Sequence, residues 1–222
     1  MARFLDLLLS ITALIILSPI LIFTMILLKF TGEGYIFYKQ NRIGLNRNNF
    51  QLLKFATMLK DSPNLGTGTI TLRNDERVLP IGKLLRKTKL NELPQLINVI
   101  LGDMSLIGPR PLTEQTFSAY SDAVQAKIVT VRPGLSGVGS IVFRDEENLL
   151  TDNEQSEKFY REVIAGYKGE IEVWFVNNGN LFIYLMLIFF TVWCVLFGTS
   201  NNIWRIFPNL PKPPEGLSAL AR

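Results

Sequence analysis

The sequence predicts a mixed α/β, membrane-associated fold: a kinked apolar helix at the N-terminus, a small α+β body, and an apolar helix near the C-terminus. Three observations predict it. Two apolar blocks, residues 4–28 and 181–197, flank a charged middle. That middle, residues 31–178, alternates short strand patterns, turn residues and helical stripes, with no internal repeat. The chain is 48% hydrophobic but 19% charged over 222 residues, which excludes a bundle made only of membrane helices.

Residues 4–28 are uncharged except for Asp6, with Arg3 and Lys29 at the flanks. A bilayer core needs roughly 20 apolar residues, so this block is long enough to span. It is too long for the core of a cleaved signal peptide and lacks a small-x-small cleavage site. Ser18-Pro19 falls inside it. Proline removes one N–H donor, so a kink is expected there, and the Ser18 hydroxyl is placed to satisfy the freed carbonyl. A spanning helix and a re-entrant one both fit, the first slightly better on physics alone. Arg3 lies on one flank and Lys29, Lys39, Arg42, Arg47 and Lys54 on the other, so both flanks prefer the cytoplasmic side.

Residues 181–197 read as a helix roughly 25 Å long, apolar on every face, to be inserted in lipid or buried in a partner. Trp174, Tyr184, Trp193 and Trp204 are candidate interfacial anchors. Residues 199–222, with Pro208, Pro211, Pro213 and Pro214, read as an extended, mostly unstructured tail. That tail lies across the membrane if 181–197 spans and 4–28 does not.

In the body, 35–38 and 50–55 read as strands around a hairpin-like turn at 44–49. Residues 61–69 read as a loop, and 76–90 as a helix interrupted at Pro80. Leu93, Leu96, Ile97, Ile100 and Leu101 form a helical stripe. Pro94 is tolerated in its first turn, Gly102 stops it, and Asn91 is a reasonable N-cap. Residues 131–137 read as a rigid basic turn, and 141–147 as a strand ending in an acidic cluster.

Chemistry is bounded by what is missing. The chain has no histidine and one cysteine, Cys194. Histidine-based triads, histidine metal sites and internal disulfides are therefore excluded. Acid-base work falls to carboxylates, Lys or Tyr, and a metal would be a hard ion such as Mg²⁺. The net charge of +4 suits anionic lipid or phosphate ligands, and no nucleic-acid motif is apparent.

The densest run is 85–112. Arg86 and Lys87 precede Asn91-Glu92, a short helix follows, and then Pro109-Arg110-Pro111. A helix start favours an anion, and two prolines fix the backbone on either side of one guanidinium. A diphosphate gripped there, with Mg²⁺ bridging to Glu92, is one reading. A plain cap at Asn91, a solvated Glu92 and an ordinary surface arginine is the other, and the residues alone favour it at Asn91.

Several elements in order resemble the bacterial sugar transferases, the monotopic phosphoglycosyl transferases. They are Ser18-Pro19, Lys54-Phe55-Ala56-Thr57-Met58, the run 86–96, Gly102-Asp103-Met104-Ser105-Leu106-Ile107-Gly108-Pro109-Arg110-Pro111, and Arg132-Pro133-Gly134-Leu135-Ser136-Gly137. The resemblance covers about residues 1–150. It implies a re-entrant helix at 1–30 and a cytoplasmic catalytic domain at 31–178. The apolar block, a second embedded or buried helix at 179–198 with a tail at 199–222, departs from it, since the family often ends here in a more polar interfacial helix. The resemblance implies transfer of a sugar-1-phosphate from a UDP-sugar to a polyprenyl phosphate at the bacterial inner membrane, with Mg²⁺. Ser18 and Pro19 would form the membrane kink. Lys54, Arg86, Lys87, Arg110 and Arg132 would bind substrate. Asn91 and Glu92 would occupy the catalytic pair, with Glu92 on the metal. A homodimer is left open.

The family's pair is Asp-Glu, and its Asp attacks the donor β-phosphate. Here Asn91 stands at that position, and Ala56 stands where an Arg is often found. A neutral amide is a poor nucleophile and a weak Mg²⁺ ligand. An inactivated variant, a natural enzyme that uses Glu92, and a binding or scaffold protein all fit Asn91. A basic surface binder would explain the charge but not the ordered motifs.

Overall fold

The computed structural model describes residues 2–65, 75–144, 159, 163–197, 203–215 and 217. The acidic residues 145–147, positions 66–69 of the expected loop, and 199–202 with most of the last seven residues lie outside the described residues.

Helix α1 (Ala2–Lys29) runs as one element of 28 residues through Pro19. Its sequence holds no glycine and many strong helix formers. Pro19 deprives the Ile15 carbonyl of its usual donor, and Ser18 Oγ donates to that oxygen at 2.8 Å. The helix is long and apolar enough to cross a membrane, with a mean hydropathy of 2.7 and only 11% of its apolar window buried. Its buried residues are Asp6, Ser10, Thr24 and Leu28, so its inward face is mainly polar. Asp6 accepts from Ser105 Oγ at 3.0 Å, from Leu106 N at 2.9 Å and from the Tyr184 hydroxyl. Arg3 donates to Val99 O at 2.6 Å and Ile100 O at 3.0 Å.

Strands β1 (Phe37–Ile43) and β2 (Asn49–Phe55) form an antiparallel hairpin, with Phe37 opposite Phe55 and Ile43 opposite Asn49. The turn carries left-handed Asn46 and Arg47. The first strand starts at Phe37, not Tyr35, and runs on to Ile43, because pairing with β2 recruits polar residues that carry no hydrophobic signal. Helix α2 (Pro80–Lys87) begins at Pro80 instead of being interrupted by it, since a fixed φ and a missing N–H suit the first helical position. Helix α3 (Gln95–Leu101) ends at left-handed Gly102, as expected, but starts behind Pro94, not Asn91. Leu96 and Val99 are buried, while Ile97 and Leu101 of the expected stripe face outward.

Strand β3 (Ser105–Ile107) pairs in parallel with β4 (Gly134–Ser136). The latter lies where a basic turn was expected. A Cβ on Gly134 would sit 2.1 Å from Gly108 N, so glycine allows that approach. Short helices α4 (Glu114–Phe117), α5 (Asp122–Ile128) and α6 (Val138–Val142) follow. Where a strand was expected from 141, residues 141–142 end α6 and 143–144 form a turn. Val138, Ile141 and Val142 are buried at helical spacing against α7 (Ala165–Asn178).

Helix α8 (Leu181–Phe197) matches the expected span but not its surroundings. It buries Ile183, Tyr184, Leu187, Phe190 and Cys194 in the main core, and leaves Phe182, Leu185, Phe189 and Leu196 exposed. The tail is not extended. It forms α9 (Ile203–Ile206) and buries Ile203, Phe207, Leu210 and Leu217 in the same core. Tyr167 and Trp204 both donate to Pro211 O, at 2.8 and 3.0 Å. The described part of the tail therefore packs on the body. Of the four expected anchors, Tyr184 is buried against Asp6, and Trp174 and Trp204 pack on the core, Trp174 against Phe207. Trp193 lies on the exposed face.

Candidate active site

Residues alternate sides along a strand, so Tyr38, Gln40 and Arg42 share one side of β1, and the register sets Tyr38 opposite Lys54. Arg86 comes from the last turn of α2, and Asn91 and Glu92 from the 3-10 turn Leu90–Glu92. Arg110 comes from its double-proline turn. These side chains line one cleft of about 400 Å³. Its wall carries seven cationic side chains and two carboxylates, Glu33 and Glu92, so it is built for an anion.

The centre is an ion pair. Lys54 Nζ lies 3.7 Å from Glu92 Oε1, and both side chains are less than a fifth exposed. Burial works to raise the Glu92 carboxyl, but the charges of Lys54, Arg110, Lys89 and Arg86 outweigh it and hold the group down at about 2. Burial lowers Lys54 to about 7, against Glu92 and with the help of Arg42, Arg110 and Arg86. Glu92 is thus a fixed anion, and Lys54 sits at the edge of deprotonation near neutral pH.

Asn91 is buried at 6% exposure and does not cap α3. Its Oδ1 has no hydrogen-bond partner among the described residues. A buried amide oxygen without a donor costs free energy, a cost that a ligand atom in the cleft would offset. The helix-start anion site expected at Asn91 is displaced with the helix. Side-chain cations take its place. Lys89, which opens the turn with φ 59, belongs to the cleft wall.

The structure brings together Lys54, Arg86, Asn91, Glu92 and Arg110. It does not bring in Lys87, which points to solvent from the end of α2, or Arg132, which is exposed and donates to Gly102 O at 2.8 Å. Ser18 and Pro19 lie in α1, away from the cleft wall. Sequence reasoning missed Lys39, Arg42, Lys60 and Lys89. Arg42 was reachable from strand alternation once the hairpin register was known, and Lys89 had no signal beyond its charge. Among the described residues no cluster of three acidic or sulfur ligands is present. Glu92 offers a hard divalent ion one carboxylate, and the neutral Asn91 amide oxygen adds only a weak ligand. That fits Mg²⁺, which takes one or two carboxylates and completes its shell with water and substrate phosphate.

The family model for bacterial sugar transferase matches residues 1–198. An exopolysaccharide production protein, ExoY, of Sinorhizobium fredii is 39% identical over 67% of this chain and 72% of its own length. ExoY of Rhizobium meliloti is 33% identical over 86% of this chain and 83% of its own. A UDP-N-acetylgalactosamine-undecaprenyl-phosphate N-acetylgalactosaminephosphotransferase of Aeromonas hydrophila is 30% identical over 88% of this chain, which covers 44% of that longer protein.

Proposed function

The chain belongs to the bacterial sugar transferase family, and from that premise we propose that it moves a sugar-1-phosphate from a UDP-sugar to undecaprenyl phosphate. In that reaction the bond from the β-phosphorus to the bridging oxygen breaks, and UMP leaves with that oxygen. The β-phosphorus ends bonded to an oxygen of the acceptor phosphate, giving a polyprenyl-diphosphate sugar for exopolysaccharide or capsule assembly.

The observation that carries this reading is the cationic cleft around the Lys54–Glu92 pair. Both substrates are phosphate anions. Arg42, Arg86, Lys89 and Arg110 neutralise them, and the charge that develops on the departing phosphate, in a site walled partly from water. Mg²⁺, held by Glu92, would supply Lewis-acid stabilisation of the diphosphate. Glu92 is the carboxylate kept ionised at the reacting centre.

The lipid acceptor reaches the cleft along α1. Leu28, in its last turn, packs on Phe55 and Leu85, chain neighbours of Lys54 and Arg86. Near the other end, Arg3 and Asp6 bond to α3 and β3 of the same body. A helix that crossed a bilayer straight would part its ends by the membrane's thickness. Contact of both ends with one body favours a re-entrant α1 bent at Ser18-Pro19, and the basic residues on its flanks, Arg3 and Lys29, favour the cytoplasmic side of the inner membrane for that body.

UMP release tests the reading, with Mg²⁺, undecaprenyl phosphate and a panel of UDP-sugars in nanodiscs. Glu92→Gln is expected to lose at least ~10²-fold in turnover, and Asn91→Asp to exceed the parent. Release that is indifferent to Glu92→Gln would overturn it. A second reading rests on Asn91, an amide where the family has its attacking carboxylate: the chain binds donor without turnover. A silent parent beside an active Asn91→Asp would select it.

A further inference from the structure

Pro109-Arg110-Pro111 has a single backbone N–H, since neither proline carries one. That N–H donates to Glu172 Oε1 at 3.1 Å. Glu172 projects from α7 behind the cleft and is 1% exposed. Two further bonds hold the same turn. Gly134 N donates to Pro109 O at 2.8 Å, and Arg42 Nη1 donates to Pro111 O at 2.9 Å. The carboxylate is accommodated by Gly139, where a Cβ would lie 2.3 Å from Oε1. Lys168, one turn earlier on α7, is 2% exposed and sets its ammonium 5.0 Å from the centre of the Phe143 ring.

A buried carboxylate is costly, and an apolar side chain of similar volume would pack there without that cost. Packing does not explain it. What Glu172 touches does: the one donor of a turn whose arginine lines the cleft with Glu92 and Lys54. We propose that Glu172 is a positioning residue, which locks the Arg110 peptide so that its guanidinium meets the donor's diphosphate in a fixed pose. The proposal rests on the transferase reading of the cleft. Bidentate arginine contacts with phosphate depend on the direction of the fork, so a loosened turn weakens binding even with the arginine intact. Burial raises Glu172 to about 7, opposed by the Arg110 N–H and by the charges of Lys168 and Arg110. Gln therefore reproduces both the acceptor oxygen and the uncharged form.

Two measurements on the full chain in nanodiscs test this: hydrogen exchange at the Arg110 amide, and titration with UDP in the presence of Mg²⁺. In Glu172→Leu the Arg110 amide is expected to exchange about tenfold faster or more, and UDP to bind about tenfold more weakly. Glu172→Gln is expected to restore both. In an Arg110→Ala background, Glu172→Leu should cost UDP binding nothing further. Gly139→Ala, which displaces Oε1 without deleting the carboxylate, should mimic Glu172→Leu and serves if the leucine variant does not fold. An Arg110 amide that stays protected, or the same loss of UDP affinity with and without Arg110, would overturn the proposal. If UDP fails to bind the parent, the substrate reading of the cleft falls, and amide exchange alone decides whether Glu172 holds the turn.

Discussion

Glu92 and Glu172 are the same residue type, both withdrawn from water, yet they ionise in opposite directions. Glu92 is held down at about 2 and Glu172 is pushed up to about 7. Burial raises both. The difference lies in the neighbours: Glu92 faces Lys54, Arg110, Lys89 and Arg86 across a cleft, whereas Glu172 is met in the core by one peptide N–H, Lys168 and the more remote Arg110 charge. The comparison teaches that burial sets the cost of a charge, and the surrounding cations decide whether the charge survives. The cleft keeps an anion ready beside its cations. The core keeps a hydrogen-bond acceptor whose charge is optional.

The largest test of that contrast is an exchange of Gln for each carboxylate. Glu92→Gln should cost at least ~10² in UMP release, and Glu172→Gln less than about threefold, because Gln keeps the acceptor oxygen. Equal losses would break the comparison.

The next test is stability against pH. Glu172 has a folded pKa above its unfolded value, so its stabilising effect is fully present below about 4.5 and is lost as pH rises through about 7. The swing is on the order of 3 kcal/mol. Glu92 has a depressed folded pKa, so its contribution is present above about 4.5 and is lost as pH falls through about 2. Urea unfolding of the detergent-solubilised chain should show the slope between pH 4.5 and 7 flattened in Glu172→Gln and retained in Glu92→Gln.

A smaller effect sharpens the cleft side. Lys54, lowered to about 7 by burial, gains charge when a diphosphate anion arrives. Donor binding above pH 7 should take up a proton, and kcat/KM should fall as pH rises past 7. Calorimetry in buffers of different ionisation enthalpy measures that uptake. Lys54→Arg should abolish it, and uptake that persists there would assign the proton elsewhere.

The two apolar helices show where sequence was enough and where it was not. The spans 4–28 and 181–197 were legible because helix formers and apolar residues run unbroken through them, and the structure has helices at Ala2–Lys29 and Leu181–Phe197. Their environments were not legible. Composition cannot tell lipid from protein as the apolar solvent, and α8 buries one face on its own body. The tail's prolines suggested an extended chain, yet Ile203, Phe207, Leu210 and Leu217 supply enough apolar surface to fold it back. Asp6 read as a stray charge in a membrane segment and proved to be the bond between α1 and β3.

The sequence by itself determined the apolar helix spans, the hairpin at 44–49, the stop at Gly102, and the kinds of side chain available for chemistry. All of these follow from local rules: periodicity, backbone propensity, and the absence of histidine. It also singled out Lys54, Arg86, Glu92 and Arg110, which fall in recognisable runs and line one cleft. Only the tertiary structure decided that Arg42 and Lys89 join them while Lys87 and Arg132 do not, and that Asn91 is buried instead of capping a helix. It alone set Glu172 behind Arg110, 62 positions along the chain. Charge and hydrogen bonding act through space, and spacing along the chain does not encode which distant groups the packed core brings within reach.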